Sequence, residues 1–141
     1  MDLKKVYGFS KKLAEGGARM VIGPDEENDF LLVRRIPNDS YKARMSVVMM
    51  ANKKQLDILK AQDEKAHAAK DAEIFCEVLA DTVLIGWGAG ITEGGESIPY
   101  STEAAKNLLL SYPEFRSDIV DFATSKSNYP LEPDVDDIKK N

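Results

Sequence analysis

The stretch 86-GWGAG-90 follows the apolar run Val83-Leu84-Ile85, and glycines so placed could cradle a phosphate with their backbone N–H groups. A Walker loop requires Lys-Ser/Thr after its last glycine, because the lysine neutralises phosphate charge. Here Gly90 is followed by Ile91-Thr92-Glu93, which puts a carboxylate where a cation belongs. A dinucleotide-binding turn requires a helix to begin within the glycine motif, with its N-terminus on the pyrophosphate. The next cap is Ser101, eleven positions beyond Gly90. The spacing of Phe75, Val78, Leu79, Thr82 and Val83 also carries a helical face up to Gly86. The pattern therefore predicts a corner between helices, with Gly86 or Gly88 as a left-handed C-cap and Gly94-Gly95 as a second turn. Trp87 and Tyr100 plug this corner onto the core; the alternative for Trp87 is a stacking platform for a ligand.

Little else in the chain has the makings of a reactive centre. Cys76 is the single cysteine and His67 the single histidine, so neither an internal disulfide nor a three- or four-ligand zinc site of these residues can be built. Cys76 lies among apolar neighbours in 74-IFCEVLAD-81 and reads as a buried structural thiol. Glu73, Glu77 and Asp81 recur every four residues, which could bring carboxylates to a cation but is the ordinary pattern of a solvated helix face. The segment 45-MSVVMMA-51 differs in kind. It is apolar on nearly all sides of a helix, more than one core face requires. Met45, Val48, Met49 and Met50 are thus candidate partner-binding residues, since methionine is flexible, polarisable and tolerant of varied partner surfaces. Burial within the domain or at a homo-oligomer interface explains the same pattern.

The elements that must position these residues read as mainly helical. In 141 residues there is room for one domain that folds without metals or disulfides. A short helix is predicted over residues 3–15, ended by Gly16-Gly17. The runs 18-ARMVI-22 and 29-DFLLVRRI-36 predict two strands joined by the turn-rich 23-GPDEEND-29. After Pro37, Asn38, Asp39 or Ser40 caps a helix, and two helices fill the span from Asn38 to Ile85. The first repeats Tyr41, Met45, Val48, Asn52, Leu56 and Leu59 on one face, and the polar residues 60–71 form an exposed helical bridge or the turn. Ser101 caps a third helix, and Pro113 begins a fourth with Phe115, Ile119, Phe122 and Ala123 inward. The fold class is α+β, mainly α: an N-terminal β-hairpin followed by about four helices. Residues 1–124 form the globular domain and 125–141 a polar, flexible tail.

The net charge of −5 disfavours nucleic acid as a partner, because phosphate binding needs a basic surface. No apolar run approaches the ~18 residues of a membrane span, and no apolar signal core follows the N-terminal lysines. A cytosolic chain without cofactor is expected.

Taken in order, the segments resemble the tail assembly chaperones of long, non-contractile-tailed bacteriophages. The resemblance runs from about Lys11 to Ala123. It rests on Lys11-Lys12-Leu13-Ala14-Glu15 with Gly17 before the hairpin, on 33-VRRIPNDSY-41, on Gly86-Trp87, on 95-GESIPYSTEAAKNLL-109 and on 112-YPEFRSDIVDFA-123. No one motif is diagnostic; what carries weight is their succession and spacing. Gly88-Ala89-Gly90 departs from the pattern, which leads one to expect an acidic residue after Trp87. The resemblance implies a non-enzymatic protein that self-associates and coats the phage tape measure protein before the tube polymerises around it. It implies residence in the host cytoplasm and absence from the mature virion. It also implies a longer form, made by programmed frameshifting, that recruits the tail tube protein. Lys139-Lys140-Asn141 can be encoded AAA-AAA-AAC, which contains a slippery heptamer; an AAG codon at either lysine would break it. A head-tail or tail component retained in the virion is the alternative.

Overall fold

Gly8, extended at ψ 153°, divides the N-terminal helical segment in two. In the computed structural model, which describes residues 1–131, helix α1 covers Leu3–Tyr7 and α2 covers Lys11–Gly16. Strands β1 (Ala18–Val21) and β2 (Phe30–Val33) form the predicted hairpin, with Ala18 opposite Val33 and Val21 opposite Phe30. Its connection is organised by Asp25, whose carboxylate accepts from the Asn28 side chain and the Glu27 N–H. The Asn28 bond holds this carboxyl below the usual aspartate range.

Asn38 starts α3 (Asp39–Gln62): its Oδ1 accepts from the Tyr41 N–H at 2.9 Å. The turn to α4 (Glu64–Thr82) is a single residue, Asp63. Its N–H donates to the Leu59 carbonyl and its carboxylate caps α4 at the Ala66 N–H, so one residue closes both helix ends. Most of the polar stretch 60–71 is therefore helix. Val48 and Leu56 of α3 pack on Ile74 and Val78 of α4, and the opposite side of α4 faces the main core.

The sequence-based expectation fails at Val83-Leu84-Ile85. Helix α4 ends at Thr82, with Val83 as its non-helical cap, and Leu84–Trp87 is a third strand, β3, antiparallel to β2. Gly86 is a strand residue opposite Leu32, and neither Gly86 nor Gly88 has a positive φ. Continued helical spacing misled because a short apolar run fits a buried strand equally well, and Val83 and Ile85 are β-branched. The left-handed glycines are Gly17, Gly94 and Gly95. The last two, at φ 58° and 85°, turn the small hairpin β4 (Thr92–Glu93) and β5 (Glu96–Ser97) as a type I′ turn demands.

Ser101 caps α5 (Thr102–Ser111) by accepting from the Ala104 N–H, and Pro113 is the first residue of α6 (Pro113–Thr124). The core lies between the three-stranded sheet and α4, α5 and α6. Leu31, Leu79, Leu84, Leu109 and Ile119 are fully buried there, each contributing about 1.5–3 kcal/mol by leaving water. The fold is α+β and mainly α, as the sequence predicts.

Beyond α6 the chain does not leave the surface at Ser125. Lys126–Asn128 forms a 3-10 turn, and Tyr129 is fully buried with Ala14 and Ala18. The polarity of 125-SKSN-128 hid this anchor. Residues 132–141, including Lys139-Lys140-Asn141, lie outside the described part.

Candidate functional site

The glycine stretch is a continuation of the sheet. The Gly88 N–H donates to the Phe30 carbonyl and the Gly90 N–H to the Asn28 carbonyl, each at 2.9 Å. Both donors that a phosphate cradle would use are thus taken by β2 and the turn before it. Trp87 Nε1 donates to the Ile98 carbonyl at 2.7 Å, and Tyr100 Oη donates to the Leu84 carbonyl at 3.1 Å. The two rings meet edge to face with centroids 4.9 Å apart. Trp87 and Tyr100 form a clasp that holds the segment 88–101 against the outer strand of the sheet, while Gly86 and Gly88, on either side of Trp87, pair with β2.

The methionine-rich segment is split by the fold. Val48 is buried against α4 and Met45 is half-buried beside it, so both belong to the inner face of α3. Met49 borders a shallow groove of about 520 Å³ with Met45, Ala68, Ala72, Phe75 and Arg116. Met50 points outward and is 78% exposed. It continues a stripe in steps of three and four residues that places Ala43, Val47, Met50, Lys54, Ile58 and Ala61 on the face opposite α4. Val47 is 59% and Ile58 51% exposed, so the apolar part of this stripe is uncovered along most of the helix. Val47 lies within the apolar segment 45–51, but Ile58 is not legible from periodicity, because the stronger repeat along α3 is that of the inner face, Tyr41, Met45, Val48, Asn52 and Leu56.

The acidic stripe has partners within the fold. Arg44 of α3 bridges Glu77 and Asp81 at 3.2 Å each, and Lys106 of α5 approaches Glu73 at 3.8 Å. Among the described residues no group of three or more His, Cys, Asp and Glu side chains is placed to hold a metal. Cys76 is buried, and Arg116 Nη1 donates to its Sγ at 3.2 Å.

A cleft of about 740 Å³ opens between Met20 and Ile22 at the end of β1, the β4–β5 hairpin and the α5–α6 junction. At its edge Tyr112 Oη donates to Glu93 Oε2 at 2.6 Å, and this bond, with the carboxylate's charge, raises the Tyr112 pKa. Its lining comes from four separated segments, so no local motif announced it.

A family model described as YdaY prophage protein matches residues 37–140, from the residue before the Asn38 cap through all four long helices. No curated protein and no solved structure matches the chain.

Proposed function

This chain belongs to the YdaY prophage protein family, and on that premise we propose that it is a non-enzymatic tail assembly chaperone that binds a phage tape measure protein. The observation that supports this is the outer face of α3. A helix already buried on one side against α4 presents Val47, Met50 and Ile58 to solvent on the other. Exposed apolar side chains in register over several turns are the form of a surface that takes up a partner helix. A tape measure protein, long and helical, offers such a partner repeatedly. The arrangement asks for no cofactor, membrane or nucleic acid. No helix among the described residues is long and apolar enough to cross a membrane.

The test is co-expression with the tape measure protein of the same prophage, followed by affinity capture. Met50→Glu should leave thermal stability within about 0.5 kcal/mol of the parent, because the side chain is outside the core. It should reduce the captured tape measure protein severely. Capture unchanged in this variant would show that the α3 face is not used. Abundance of the chain in purified virions, read by mass spectrometry, would favour a structural component retained in the particle.

A further inference from the structure

The charge around the α3 stripe identifies its occupant more narrowly than apolar character does. The whole chain carries −5, yet the charged residues of α3 are five basic (Lys42, Arg44, Lys53, Lys54, Lys60) and two acidic (Asp39, Asp57). Arg44 is turned inward and tied to Glu77 and Asp81. The four lysines are exposed, and among the described residues none has a carboxylate within ion-pair distance. Lys42, Lys53 and Lys60 are eleven and seven positions apart, close to three and two helical turns, so they line one flank of the stripe; Asp39 and Asp57 fall on the same side and leave that flank, with Lys54, a net positive charge. Lys54 sits within it, where its aliphatic stem extends the apolar surface and its ammonium stays in water. An acidic chain thus carries an excess of lysine along an uncovered apolar stripe of its longest described helix.

We infer that the α3 face takes an amphipathic helix whose apolar stripe is flanked by glutamates or aspartates. This inference rests on the tape measure reading and specifies which of that protein's segments are held. Opposite charge alongside the apolar contact steers encounter and fixes which way round the helix lies. A lysine-flanked amphipathic helix would be rejected by the same surface, which gives the chain a means of choosing among the many helices of a long partner.

The experiment uses the full chain and the tape measure protein of the same prophage, with affinity measured at about 0.05 M and about 0.5 M salt. The paired substitution Lys53→Glu with Lys60→Glu should weaken binding by about tenfold at low salt. Added salt should weaken wild-type binding and have less effect on the double variant. The control reverses the same number of charges elsewhere, Lys11→Glu with Lys12→Glu on α2, and should bind as wild type does. Equal losses in both double variants would reduce the effect to net charge and overturn the inference. Wild-type binding that salt leaves unchanged or strengthens would overturn it too, since apolar docking alone behaves that way. Binding that is insensitive to Met50→Glu and to the α3 lysines places the contact elsewhere, which overturns this inference while the chaperone reading stands. Absence of any binding by the wild type removes the chaperone reading itself. If the α3 variants instead abolish a dimer while tape measure binding persists, the occupant is a second copy and the inference fails.

Discussion

Tyr129→Ala is expected to destabilise the fold by about 3–5 kcal/mol, the range for removing a fully buried aromatic ring. The ring meets Phe122 at a centroid distance of 6.0 Å, and its hydroxyl donates to the Val33 carbonyl at 2.9 Å, 96 positions away in sequence. The Tyr129 carbonyl in turn accepts from the Ser10 N–H. This one residue therefore ties the end of the described chain to β2 and to the start of α2. Urea unfolding measures the loss; a change below about 1 kcal/mol would mean the segment after α6 is dispensable. Tyr129→Phe separates the hydroxyl from the ring. Burial pushes the phenol pKa far up, and nearby Arg35 opposes this only in part. The unfolded phenol ionises near pH 10 while the folded one resists, so its contribution is complete below about pH 10 and is lost as pH rises further. The phenylalanine variant should lose about 1 kcal/mol at neutral pH and show less additional decline in alkali.

Gly88→Val should cost about 1–3 kcal/mol or more, and Gly86→Val clearly less. A Cβ at Gly88 would lie 2.3 Å from the Asn28 carbonyl oxygen and 2.6 Å from Phe30 Cε1, so backbone must move. Relief of that clash would pull apart the Gly88–Phe30 hydrogen bond and the Trp87–Tyr100 clasp beside it. At Gly86 the nearest atom is the end of the Leu32 side chain at 3.2 Å, which can rotate away. Thermal melts of the two variants decide it, and equal melts would contradict the close approach. The glycines act through space here, since neither has a left-handed backbone.

Where sequence and structure agree, one local rule was sufficient. Asn38, Ser101 and Pro113 announce helix starts through capping chemistry that depends on the next three residues alone. The β1–β2 hairpin follows from two apolar runs around a turn-rich segment. Where they differ, a distant partner decides. Leu84–Trp87 becomes a strand because β2 presents an unpaired edge that only the tertiary fold brings alongside. Tyr129 is buried because Val33 and Phe122 form its socket, which a reading of 125–131 alone cannot supply. The candidate site was half legible. The excess of apolar residues at 45–51 pointed to α3, but assigning each to the inner or outer face required knowing where α4 lies.

Val33 and Leu84 pair across 51 positions, and bringing such distant segments together from an open chain carries an entropic cost that grows with the logarithm of the span. The one-residue turn at Asp63 changes that arithmetic. Helices α3 and α4 can zip together through contacts close in sequence, and at their open end Asn38 Nδ2 then donates to the Thr82 carbonyl at 3.2 Å and to the Arg35 carbonyl at 2.8 Å. With that pin in place only short lengths, Val33 to Asn38 and Thr82 to Leu84, separate the two strands. A long-range pairing has become a short-range one. The order of events follows as a prediction for stopped-flow kinetics: Leu56→Ala, in the helical hairpin, should chiefly slow folding, while Leu84→Ala, in the last strand to join, should chiefly speed unfolding. The reverse partition would place the sheet first, and the helical hairpin would then be an insertion carried by the sheet, with no part in assembling it.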